Sequence, residues 1–150
     1  MRAIHAFAML SLTPLLLPVG SLSAQAPRPP SDSARLQGRY VMVKGFDING
    51  VPATPAFIAG AERVTRGDQV RISLNGQLAY NATVTLHAGK PGLMDYRITE
   101  GPYADVSFAG LYEFRGDTVV LVFGAPDAPR PAKIEARAGQ TMFFWLPAAQ

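Results

Sequence analysis

Between Val106 and Gly124 the chain reads VSFAGLYEFRGDTVVLVFG, two apolar-alternating runs joined through Arg115-Gly116-Asp117. Phe108, Tyr112 and Phe114 share one parity with Val106 and Gly110, and Ser107, Glu113 and Arg115 share the other, which is the period of a half-buried strand. Gly116 can take the positive φ of a two-residue turn and Asp117 suits the next position, so a II′ or I′ hairpin is expected there. In the return run Thr118 to Phe123 both parities are apolar, with Val119, Leu121 and Phe123 on one side and Val120 and Val122 on the other. A strand covered on both faces accounts for that.

The rest of the chain supplies strands to lay beside this hairpin. Leu36 to Asp47 is a first strand, with Tyr40 and Met42 on one parity and Val41 and Val43 on the other, and Asn49-Gly50 turns it. Thr54 and Pro55 are an N-cap and a first helical position for one short helical turn near 55–59, a plug or lid at most. Glu62 to Thr65 and Gln69 to Leu74 flank Gly67-Asp68, with Val70, Ile72 and Leu74 inward, and Asn75-Gly76 closes the next hairpin. Leu78, Tyr80, Ala82, Val84 and Leu86 then alternate with Gln77, Asn81, Thr83, Thr85 and His87. Met94, Tyr96 and Ile98 alternate with Asp95, Arg97 and Thr99.

After the central hairpin comes a proline-rich loop, and Lys133 to Arg137 with Thr141 to Leu146 reads as a last hairpin. That makes about nine short strands with turn signals roughly every 8–12 residues. The fold class expected is all-β, an antiparallel up-and-down meander closing into a barrel of about 8 to 10 strands. Short antiparallel turns between consecutive strands favour it over a Greek-key sandwich, and closure also removes exposed edges.

The N-terminal segment 1–26 has Arg2, an apolar run through Leu10, Leu12, Leu15 and Leu17, and small residues ending Ala24-Gln25-Ala26. This is the pattern of a secretory signal peptide, cut after Ala26 or, because Pro27 follows, after Ala24. Pro14 and Pro18 interrupt the run, and it is shorter than a spanning helix requires. Export to the periplasm or the extracellular space is expected, with no membrane span after the signal is removed. Pro27 to Arg35, rich in Pro and Ser, reads as a flexible leader, and 36–147 as one barrel domain. The chain has no cysteine, so the exported domain has neither a disulfide nor a lipid-attachment thiol and must stand on its core. The net charge of the whole chain is +3, but the arginines are scattered singly with no basic run interleaved with aromatics, which argues against a nucleic acid partner.

Several short motifs, taken in order, resemble a known family. Leu36-Gln37-Gly38, Asn49-Gly50-Val51-Pro52, Gly110-Leu111-Tyr112-Glu113 with Gly116-Asp117-Thr118, and Pro129-Arg130-Pro131 are similar to the small lipocalin-like domains abundant in exported proteins of planctomycete bacteria. The resemblance runs from Leu36 to about Leu146. That family usually carries tryptophan where Tyr40 stands, cysteine at Val122 and phenylalanine at Ile134, replacements that keep apolar bulk but remove any thiol role. The resemblance implies a lipocalin-like barrel of unassigned function, with no catalytic residues to carry over.

Reactive constellations are sparse, and no enzyme activity, cofactor or metal site is expected. Only His5 and His87 are histidines. A triad of His87 with Ser73 or Ser107 lacks a nucleophile elbow, and a solvent-facing His87 is the simpler reading. A transition-metal site would lean on carboxylates that show no ligand spacing. Asp95 and Glu113, a conceivable glycosidase pair, sit on the parity opposite the aromatics, as outer-face charges do, with Arg97 or Arg115 as partners. Arg66-Gly67-Asp68 and Arg115-Gly116-Asp117 spell an adhesion tripeptide, but Gly-Asp is also what a tight hairpin needs. Asn81-Ala82-Thr83 is a glycosylation sequon placed in mid-strand.

Two candidate surfaces remain. Tyr80, Tyr96, Phe108, Tyr112 and Phe114 share the inward parity and would line a barrel able to hold a small apolar or aromatic ligand, or else form a packed core. If the even-numbered residues of the last strand face inward, Phe143 and Trp145 join Val120 and Val122 on the outer wall. Part of such a patch would be covered by residues 56–59, the leader or a second molecule, and the rest would be a weak partner or self-association site.

Overall fold

The computed structural model describes residues 29–149; the expected signal peptide lies outside the described residues. Two short helices and eight strands follow in the order α1 (Asp32–Arg35), β1 (Gly38–Phe46), α2 (Pro55–Gly60), β2 (Ala61–Arg66), β3 (Gln69–Leu74), β4 (Gln77–His87), β5 (Gly92–Glu100), β6 (Ser107–Arg115), β7 (Thr118–Gly124) and β8 (Gln140–Pro147). Each strand pairs antiparallel with the next, and β8 pairs back onto β1 to close the barrel. This is the closed up-and-down meander expected from the hairpin spacing.

Turn chemistry sets the registers. Gly67 and Gly116 are the positive-φ residues of the β2–β3 and β6–β7 turns, at 61° and 62°, and the aspartate after each stays at negative φ, the II′ arrangement. Asn75 and Gly76 are both positive, the I′ arrangement. α2 starts as its sequence dictates, with the Thr54 hydroxyl accepting from the Phe57 amide and Pro55 in the first turn. Its Ile58 packs against the core.

Alternating strand directions give the barrel two unlike ends. Segments 47–60, 75–76, 101–106 and 125–139 crowd one end, while the Gly67 and Gly116 turns, residues 88–91 and α1 lie at the other. The second end is plugged. Residues 32–35 do not form the flexible leader expected from their composition: Ser31 caps α1, and Leu36 behind it is buried. Arg35 donates from Nη2 to the Gly116 carbonyl at 2.8 Å and lies 3.6 Å above the Phe114 ring. Gln37 bonds both the amide and the carbonyl of Gly67. Burial of Leu36 and these bonds to turn groups that strands cannot satisfy hold the segment down.

Lys133 to Arg137 is not a strand. β7 and β8 pair directly, Val119 opposite Trp145 and Val122 opposite Met142, so no slot is left between them. The middle of the β7–β8 connection is instead a strap over the outer wall, held there by Arg130 and Ile134, while its ends stay at the loop-rich end, where Ala125 and Pro126 line a cavity and the Gly139 amide donates to the Ile48 carbonyl. Arg130 reaches the Gly110 and Met94 carbonyls with Nη1 and Asp95 Oδ1, at 2.6 Å, with Nη2. Ile134 packs on Val120, Val122 and Met142.

Candidate functional site

The inward faces follow from the registers, because directly opposed residues in an antiparallel pair share a face. Met42 opposes Trp145 and Leu121 opposes Phe143. Phe143 and Trp145 therefore join the main core, Trp145 at 2 % exposure, and it is Met142 and Phe144 that lie outside with Val120 and Val122. The expected outer patch of Val120, Val122, Phe143 and Trp145 thus does not exist. Between Met42 and Lys44 a bulge switches the parity of β1 and turns Phe46 outward opposite Met142. Phe46, Phe144 and Ile134 then bury Val120 and Val122 completely. The cover comes from the strap and neighbouring strands, not from α2, the leader or a second molecule.

The five candidate lining residues separate by height. Tyr80, Tyr96 and Phe108 line a cavity of about 360 Å³ at the loop-rich end, together with Ile48, Tyr103, Phe123 and Phe143. Tyr96 leans on Phe123 with ring centroids 4.7 Å apart, and Tyr103 meets Phe108 edge-on at 6.1 Å. Tyr103, 52 % exposed, and Ile48 form the mouth, and Phe57 on the same end is 40 % exposed. Tyr112 and Phe114 lie at the plugged end. Tyr112 donates to Asp32 Oδ2 at 2.8 Å and stacks edge-on against Phe114, which carries Arg35. A Cβ at Gly92, opposite Tyr112, would overlap the phenol ring, so that glycine makes room for it. Burial and the Asp32 carboxylate push the Tyr112 phenol up to about 12, and burial raises the Tyr80 phenol.

One interior residue escaped the sequence reading. Arg63 is 0 % exposed and lies inside the barrel between Tyr40 and Tyr96. Val64 in Glu-Arg-Val-Thr invites the opposite parity, with valine inside. The Gly67-Asp68 turn held the answer: it places Thr65 opposite Val70 and Arg63 opposite Ile72, so two inward aliphatics carry the arginine in with them.

On the outer wall the reactive candidates are dispersed. Asp95 is held by Arg130, with His87 Nε2 3.8 Å away, and Glu113 pairs with Arg115. Arg97 pairs with Asp105 and not with Asp95. His87 ends β4 at the plugged end, whereas Ser73 and Ser107 are at the loop-rich end. Both Arg-Gly-Asp tripeptides are hairpin turns whose glycine backbones are engaged by Gln37 and Arg35. Asn81 bonds Glu100 across β4 and β5.

Fold and cavity together define a closed antiparallel β-barrel, plugged at one end and hollow at the other. No family model, no curated protein and no solved structure matches the chain.

Proposed function

We propose that this chain is an exported, lipocalin-like binding module that takes a small apolar or aromatic ligand into the loop-rich end of its barrel and performs no chemistry on it. The observation that carries the reading is the cavity of about 360 Å³ walled by Tyr80, Tyr96, Phe108, Phe123 and Phe143. Its volume is in the range of small-molecule sites, and its wall is mostly apolar with a few phenols to orient a ligand. The lining contains no histidine, carboxylate or serine, and Thr141 brings its only aliphatic hydroxyl, which favours binding over acyl or glycosyl transfer. The signal-like segment 1–26 supports a periplasmic or extracellular site of action.

The neutral dye N-phenyl-1-naphthylamine tests the reading, since its fluorescence rises in apolar surroundings. Saturable binding to the wild type is expected. Thr141→Trp, which places an indole in the cavity, should abolish it while the circular dichroism of the barrel persists. A wild-type barrel that fails to bind the dye, or a Thr141→Trp barrel that binds it unchanged, would remove the cavity as the site.

A further inference from the structure

The barrel interior holds a cation without an anion. Arg63 is fully buried, and its guanidinium makes two long hydrogen bonds, Nε to the Tyr96 hydroxyl at 3.3 Å and Nη1 to the Leu36 carbonyl at 3.4 Å. Nη2 has no partner. Among the described residues no carboxylate forms an ion pair with it. Asp32, the acid of the plug, receives the Tyr112 hydroxyl instead. The Tyr40 ring stands 5.5 Å from the guanidinium carbon, a contact that compensates a cation only in part. Two more buried polar atoms lack partners, Thr65 Oγ1, two residues along β2 from Arg63, and Trp145 Nε1, two strands away on β8. Arg63 Nη2, the Thr65 hydroxyl and the Trp145 indole can all donate. Buried charges in folded proteins are paired, because an unpaired one is costly. A buried arginine that no acid among the described residues answers calls for an acceptor from outside the chain.

Tyr96 joins this arginine to the cavity. Its side chain lines the cavity, and its hydroxyl oxygen accepts from Arg63, which leaves the phenolic proton free to be donated onward. Tyr80 stands beside it in the same wall. We infer that the ligand is an anionic amphiphile: an apolar or aromatic body in the cavity and a single carboxylate-like head group directed at the Tyr96 hydroxyl, which Arg63 backs from behind the cavity wall. At roughly 30 Å³ per heavy atom the space suits a body of about a dozen such atoms. The inference rests on the proposed cavity function and adds to it the charge of the ligand.

Decanoate and decanol, which share a chain and differ in the head group, separate the two proposals. Calorimetric titration of the wild type at pH 7.5 should show decanoate bound about ten- to a hundredfold more tightly than decanol, the worth of a charge-assisted bond. Arg63→Met should lose that preference and keep its decanol affinity. The same variant should raise the melting temperature of the ligand-free barrel, because an apolar side chain replaces an uncompensated buried charge. If Arg63→Met does not fold, Tyr96→Phe must narrow the preference, and decanoate binding to the wild type must fall toward that of decanol once the head group is protonated, below about pH 5. Equal affinities in the wild type, or a preference that survives Arg63→Met or Tyr96→Phe, would overturn the anionic ligand and leave the cavity reading intact. Binding of neither molecule would overturn both.

Discussion

Gly116 and Gly92 show two distinct reasons for a glycine. At Gly116 nothing lies within 4 Å of where a Cβ would stand, but φ is 62°. The cost of Gly116→Val is therefore backbone strain alone, about 1–3 kcal/mol, read as a lower urea midpoint. Gly92 has no strained φ, yet its Cβ would strike the Tyr112 ring. Gly92→Ala should also cost about 1–3 kcal/mol, through displacement of that ring. Tyr112 carries a pH dependence whose sign can be worked out. Its folded phenol is raised to about 12, above the ordinary value near 10. The folded state thus holds the proton more tightly, its advantage is complete below about pH 10, and it is lost as pH rises through about 12. Stability should fall across that window in denaturant titrations, and Tyr112→Phe should flatten the fall.

At the scale of elements, strands with one wet face were legible and strands with two dry faces were not. β4 alternates cleanly from Tyr80 onward because only its inner face is covered, and Tyr80, Ala82, Val84 and Leu86 followed directly from the sequence; Leu78, expected with them, is set opposite Ser73 by a bulge in the β3–β4 pairing and leaves the core. β8 is apolar on both parities because the core covers one face while the strap and Phe46 border the other, so composition could not orient it. Its orientation comes from closure, through Met42 opposite Trp145, a long-range pairing that no local pattern encodes. Ile134 misled for a related reason: its apolar side chain suggested a strand but anchors a strap on Val120 and Val122. The cavity was half legible, since parity selects inward residues but not their height in the barrel. Height separates Tyr80, Tyr96 and Phe108 from Tyr112 and Phe114. The strap itself can be tested. Ile134→Ser should uncover the outer apolar strip, seen as dye binding or self-association in size-exclusion chromatography, with the barrel still folded.

For the whole molecule the decisive feature is the seam between β1 and β8, where the meander becomes a barrel. Trp145 sits at that seam, opposite Met42 on one side and Val119 on the other, with its ring in the core. Phe144, next to it, points outward toward Lys44 and the strip beneath the strap. The two side chains are adjacent and both aromatic, so substituting each in turn distinguishes inside from outside without changing the strand. Trp145→Ala should cost about 3–5 kcal/mol, as large-to-small changes in a packed core do. It should also weaken the closing pair and expose the edges of β1 and β8, so that loss of cooperative unfolding and aggregation accompany the loss of stability. Phe144→Ala forfeits only part of a half-covered contact and should leave a cooperative transition shifted by about 1–2 kcal/mol. Equal penalties, or a larger one at Phe144, would mean that β8 is turned the other way and that the barrel closes in a different register.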